Sequence, residues 1–470
     1  MGAMPDSLFY RGQGDNLRLW AVRRTGVSKL VSEGVFTTII KMAIPMLAGT
    51  FAMNMYNLTN AWFVAKLGTE ALAAISFTFP VVMLLMFVTR GLSGGALTLV
   101  AHAIGAKDRA KAATLTTHAL ILAALFGALV CGLGLVTVSP LFSRLGASGQ
   151  VLEMTVRYMN LWYLGAAVMT LQIVAADIII STGNTRAVSC LMVGSTLVNV
   201  FLDMGLIFGK FGMPNMGIAG AALATIISQL LALAAALYIL ASRMGLVDPS
   251  HLAPGALFSS WSRILAFGVP GALGMILTPI SSAVITRLAA GYGNSAVAAM
   301  GVASRIEMFA FMIPMTVGMS LIPFVAQNFG AGRIDRIRTA RHGTMTFAVL
   351  YGVFIGLVFI LFAPAMAGLF STEQAVVDVL CSYIYITCMG YGMLEVHRYA
   401  GFIVTGAHYP LQASLLNVIR VLVLLIPLSL AGSYLFQLRG IFFGRLATDM
   451  LAGMTGIWWS GRMLSRRRSA

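Results

Sequence analysis

Runs of about 20 apolar residues recur twelve times along this chain, and that recurrence constrains the fold more than any other feature. Approximate extents are 36–64, 70–101, 112–138, 152–181, 187–209, 217–242, 264–290, 296–326, 342–369, 377–405, 411–432 and 439–463. A helix rises about 1.5 Å per residue, so each run can cross a hydrocarbon layer of about 30 Å. In lipid the backbone must satisfy its own polar groups, and runs of this length and apolarity do so as helices. The expected fold class is therefore an all-α membrane protein with twelve transmembrane helices. Composition agrees, since 59% of the 470 residues are hydrophobic and 10% charged, which excludes a soluble domain of this size. Pro45, Pro80, Pro279, Pro314 and Pro427 lie inside runs and predict kinks whose freed carbonyls need partners within the protein.

The formal charge of +16 raises nucleic acid as a partner, but the basic residues sit in short loops between apolar runs rather than along one soluble face. Lys107, Arg109 and Lys111 follow the second run, Arg243 and Arg263 the sixth, and Arg333, Arg336, Arg338 and Arg341 the eighth. Arg466, Arg467 and Arg468 lie in the last five residues. By the positive-inside rule these loops and both termini face the cytoplasm, which requires an even number of spans. Up to about Gly34 the chain is polar, without the apolar core of a signal peptide, and is expected to be a cytoplasmic lead-in. Cys131, Cys190, Cys381 and Cys388 lie inside apolar runs without metal-ligand spacing and read as small core residues.

The two halves repeat at an offset of about 225 residues. GTEALAAISF from Gly68 aligns with GNSAVAAMGV from Gly293, and LVAHAIGA ending at Ala106 with FVAQNFGA ending at Ala331. Six spans per half leave both halves in the same orientation, so the repeat is parallel, with an axis along the membrane normal and a central cleft between two six-helix bundles. The expected organisation is a cytoplasmic segment 1–34, an amino-terminal bundle 35–244, a linker 245–262, a carboxyl-terminal bundle 263–463 and a basic tail 464–470.

Polar residues inside the spans mark candidate sites, because a carboxylate at the bilayer centre costs at least about 2.5 to 3.5 kcal/mol. Asn199 and Asp203, four apart, share one helical face with Ser195. Asp177 shares a face with Thr170 and Ser181 on the preceding span, where Gln172 adds another polar group. If Asp177 and Asp203 face one cavity, they cannot both stay ionised without a cation, so the pair could exchange a proton or Na⁺ for cargo. Such a Na⁺ would be held by Asp177, Asn199 and Asp203. In the second half Glu307 and Glu395 are further candidates, although Glu395 with Arg398, and Asp449 with Arg445, have the spacing of ion pairs that fix packing. His397 has an unperturbed pKa near neutrality. Met53, Met55 and Phe63 could give a soft substrate wall, or be core.

The chain resembles the multidrug and toxic compound extrusion (MATE) transporters. The resemblance rests on NLTNAWFVAKLGTEALAA (57–74), GAKDRAKA (105–112), STGNTR (181–186), LVNVFLDMGLIFG (197–209), MGIAGAALATIISQ (216–229) and FVAQNFGAGRIDR (324–336), in order along nearly the whole chain. It implies the MATE fold and alternating-access efflux of organic, often cationic, compounds against H⁺ or Na⁺, without a cofactor and as a monomer in the cytoplasmic (inner) membrane. It also implies a cation site in the first bundle, onto which Asn199 and Asp203 map directly and Thr225 more loosely. Asn60 stands where the family has a first-span Asp, and Asp177 stands at or beside the family's fourth-span Asn. The seventh span, Gly271 to Arg287, lacks the acid of the NorM-type branch, so the likeness is closer to the DinF-like branch. The alternative is a lipid-linked saccharide or lipid flippase of the wider superfamily, which would want a strongly basic cleft. An enzyme is not expected, because no HExxH, paired-Cys, phosphate-loop or Ser/His/Asp set is visible.

Overall fold

The computed structural model describes residues 28–465, and among them every regular element is a helix. Ten helical runs are long and apolar enough to cross a membrane, and the bent pair Gly149–Leu164 and Ala166–Ser181, meeting at 50°, makes an eleventh. The run Pro410–Ser465 holds two spans, because Phe436 and Gln437 leave helical geometry and turn the chain back. Twelve spans result.

Spans 1 to 6 are Val35–Ala65, Thr69–Gly105, Arg109–Arg144, the bent pair, Thr185–Phe208, and Ile218–Tyr238 with a π-turn at Ile239–Arg243. Spans 7 to 10 are Pro254–Ala290, Asn294–Ala310 continuing as Met312–Gly330, Ile334–Phe370, and Gln374–Thr387 continuing as Tyr391–Gly406. Span 11 runs from Pro410 through a π-helical stretch, Ile419–Leu425, to the break, and span 12 ends at Ser465. Span 7 begins ten residues earlier than its apolar run. Pro254 suits a first helical turn, where its missing N–H costs nothing. The segment expected as linker therefore enters the helix at 254. The lead-in up to residue 27 and the tail residues 466–470 lie outside the described residues.

The internal repeat is visible in matched contacts. Ser189 of span 5 donates to the Pro45 carbonyl of span 1, and Ser414 of span 11 donates to the Pro270 carbonyl of span 7; both pairs are 144 residues apart. Gly49 packs on Ser189 and Met192, and Gly274 on Ser414 and Asn417. The Ala310 carbonyl, which would bond to residue 314 were it not proline, instead accepts from the Tyr351 hydroxyl at 2.7 Å. Two glycines carry the symmetry further: a Cβ at Gly127 would strike Ala167, and one at Gly352 would strike Gly392.

The face carrying residues 28–34 and the turns at 106–108, 182–184 and 331–333 is termed basal here. The closest approaches between the bundles lie in the basal half. Gly91 and Gly95 of span 2 meet Gly268 and Ile264 of span 7 backbone to backbone, and Gly105 meets the Gln327 backbone of span 8. Gln327 Nε2 donates to the Ser181 carbonyl at 2.6 Å, and Asn328 and Arg336 hold the Leu30 carbonyl at 3.0 and 3.2 Å. Higher up, Asn54 of span 1 reaches Met312 of span 8 at 3.8 Å. Beyond that height Asn57, Leu58 and Ala61 on span 1, and Ser304 and Arg305 on span 8, are exposed. The cleft is closed at the basal end and open at the other.

Candidate cation site and charge pairs

Asp203 sits five residues before the non-basal end of span 5, wholly buried, and neither carboxylate oxygen has a hydrogen-bond partner. One turn below it, Asn199 donates to Ser228 at 3.2 Å and Thr225 at 3.4 Å, both on span 6, which leaves its own Oδ1 without a donor. Thr225 is tied to the Tyr56 hydroxyl of span 1 at 3.1 Å. Spans 1 and 5 run parallel, with Gly49 beside Met192 and Phe63 beside Phe208, so Asn60 lies at the height of Asp203. Its Oδ1 is buried and unpartnered too.

Asp203 Oδ1 and Oδ2, Asn199 Oδ1 one turn below, and Asn60 Oδ1 at matching height on span 1 are all buried acceptors without donors. An unsatisfied buried acceptor costs about 1–3 kcal/mol, and an unpaired buried charge more. One added cation addresses the cluster as a whole: a proton would neutralise the carboxylate, and Na⁺ could take several oxygens at once. Among the described residues no group of three or more His, Cys, Asp or Glu is placed to hold a metal ion.

Asp177 does not belong to this site. It lies four residues from the basal end of span 4, whereas Asp203 is eighteen residues up span 5 from the same turn, a height difference of roughly 20 Å. Asp177 accepts from Ser93 Oγ at 2.5 Å and faces Arg90 at 3.6 Å. Helical periodicity gave each acid's face correctly but not its depth, so the shared pocket expected from the sequence, and with it a Na⁺ held by both aspartates, is corrected. Ser195 donates to the Met192 carbonyl on its own helix, and Gln172 is half-buried without a hydrogen bond. Phe63 is core, stacked edge-on against Phe208, rather than a substrate wall; Met53 is exposed. Of the cysteines only Cys388 is buried, and Cys190 is exposed.

In the second bundle every interior acid has an arginine. Glu307 takes Arg445 at 2.9 Å and the Tyr383 and Tyr391 hydroxyls at 2.7 and 3.0 Å. Glu395 pairs with Arg398 at 2.5 Å. Asp449 pairs with Arg420 at 2.8 Å and lies 3.8 Å from Arg445. His397 Nε2 meets the Asn417 amide oxygen at 3.2 Å. Spacing revealed the Glu395–Arg398 pair, but the Arg420–Asp449 and Arg445–Glu307 pairs join distant segments and had no local signal. Tyr56 and Ser228 went unnoticed for the same reason.

Comparison with known proteins closes this part of the argument. The MatE family model matches residues 45–205 and 270–431, one block in each bundle. The chain belongs to the MatE family. It is 32% identical over 434 residues to the FAD transporter of Shewanella oneidensis, covering 92% of this chain and 96% of that protein. It is 26% identical to the multidrug export protein MepA of Staphylococcus aureus, covering 90% and 93%. Among solved structures, the bent form of the Vibrio cholerae MATE transporter VcmN superposes with a TM-score of 0.87 at 26% identity, covering 92% of this chain and 97% of that one. The MatE chain described here is thus a multi-pass membrane protein whose relatives are transporters.

Proposed function

We propose that this chain is a secondary active exporter that moves organic compounds, drugs and toxins among them, outward by alternating access, in exchange for H⁺ or Na⁺ bound at Asp203. The observation that carries the reading is the cluster of unpartnered acceptor oxygens around that buried carboxylate. With the cation bound, the first bundle is electrically satisfied and spans 1, 5 and 6 can pack tightly. Without it, the bare carboxylate favours a wetter, more open arrangement in which cargo is held or released. Cargo and cation then bias one bundle in opposite directions, which is the thermodynamic requirement for exchange. By the positive-inside rule the basic basal loops support a cytoplasmic basal face, with both termini inside and the segments 35–244 and 254–463 as the two moving bodies. The chain is read as a cofactor-free monomer of the cytoplasmic membrane, with coupling residues Asp203, Asn199, Thr225 and Asn60. The printed activities of its relatives, multidrug export and FAD transport, give the range of cargo to test.

Efflux of a fluorescent dye and of FAD into inverted vesicles, with pH and Na⁺ gradients collapsed separately, tests the reading. Collapse of one gradient is expected to stop accumulation, and indifference to both would refute exchange of either kind.

A further inference from the structure

Two charged residues within the spans stand out. Four acids face Arg90, Arg398, Arg420 and Arg445, while Asp203 has no arginine. On the other side of the ledger stands Arg305, eleven residues into span 8, exposed and in no ion pair or hydrogen bond among the described residues. An arginine at such depth without a carboxylate is not explained by packing.

Its direction follows from the helix. Glu307, two residues on and therefore on the opposite side, points into the second bundle toward Arg445. Further down the same span, Met312 touches Asn54, Ser320 touches Met46 and Gln327 holds Ser181, all in the first bundle. These positions are seven or eight apart and form one stripe on the lower half of the span; Arg305 lies seven residues before Met312, across the break at Phe311. Arg305 stands roughly 10 Å above the Asn54–Met312 contact, where the bundles have separated, with Asn57 and Ala61 exposed at matching height on span 1. Ser304 is exposed beside it, and span 1 from 57 to 65, where Asn57, Leu58, Ala61, Trp62 and Ala65 are exposed, carries no acid.

We propose that Arg305 is the cargo-selecting residue of the cleft and that the cargo it selects carries a phosphate. A guanidinium offers a planar fork of donors matched to phosphate oxygens, and the exposed Asn57 amide at matching height adds donors without a competing anion. The site lies on the bundle opposite to Asp203, so an anionic cargo and the coupling cation would occupy separate places. This rests on the exporter reading and narrows its cargo from organic compounds in general to organic phosphates such as nucleotides and dinucleotides.

The test compares FAD, which carries two phosphates, with riboflavin, which shares its ring and carries none, as ligands of purified protein in detergent. Wild type is expected to bind FAD at least about tenfold more tightly than riboflavin. Arg305→Gln should abolish that preference by weakening FAD alone, and Arg305→Lys should restore part of it. The binding is read in detergent without any gradient, so that failure of the exchange reading is separable from failure of this one. Equal binding of the two flavins by wild type, or an undiminished preference in Arg305→Gln with the protein folded by size-exclusion profile, would overturn the proposal.

Discussion

Replacing Arg445 by Met offers a stringent test of the idea that the second bundle's charges are architectural. Arg445 holds Glu307 at 2.9 Å, touches the Tyr383 hydroxyl and lies 3.8 Å from Asp449, with side-chain exposures of 19% for Arg445 and 13% for Glu307. Removing one member of a buried pair costs about 3–5 kcal/mol, because the partner's charge stays behind. Asp449 keeps Arg420 at 2.8 Å, so the loss falls on Glu307. Glu307 retains two tyrosine donors, at 2.7 and 3.0 Å, and a hydrogen bond to a charged group contributes about 1.5–3 kcal/mol. The expected destabilisation is therefore at the low end, about 3 kcal/mol. The double variant Glu307→Gln with Arg445→Met should recover most of it, to within about 1 kcal/mol of wild type. Equilibrium unfolding in a mild detergent, followed by tryptophan fluorescence, measures both. A single variant as stable as wild type, or a double variant worse than the single, would refute the reasoning. Loss of gradient-driven efflux in a stable double variant would make Glu307 a coupling acid.

Other expectations follow from the same contacts. Asp177→Asn should keep coupled efflux, since Asp177 lies roughly 20 Å in height from the cation site; loss of coupling with normal folding would reopen a role for it. Tyr351→Phe leaves the Ala310 carbonyl without a partner and should cost about 1–3 kcal/mol in the same unfolding measurement, whereas an unchanged midpoint would mean that water replaces the hydroxyl. Gly105→Val drives a Cβ into the Gln327 backbone and should part the basal seal. A cysteine placed at Asn57 should then be labelled more slowly from the outer side, and unchanged labelling would show that this seal does not set the open state.

How much could be read from the sequence depended on how local the cause was. Apolar run length gave twelve spans, and the 225-residue offset gave two bundles, because each span carries its own signal and the repeat is written in glycines such as Gly49 and Gly274 that one contact requires. The face shared by Asn199 and Asp203 was legible from a spacing of four. Depth was not, because periodicity fixes rotation about a helix axis and says nothing of where neighbouring helices begin. That is why Asp177 seemed to belong with Asp203 and instead meets Ser93 and Arg90 of span 2. Partners such as Arg445 for Glu307 or Tyr56 for Thr225 are brought together by packing between spans far apart in sequence.

The central claim is that a cation bound at Asp203 drives export. Reconstituted protein carrying Asp203→Asn, which preserves size but holds no charge, should still exchange labelled cargo for unlabelled cargo across the bilayer while failing to accumulate it when an inward H⁺ or Na⁺ gradient is imposed. Accumulation by the variant at the wild-type rate and extent under that gradient would contradict the account.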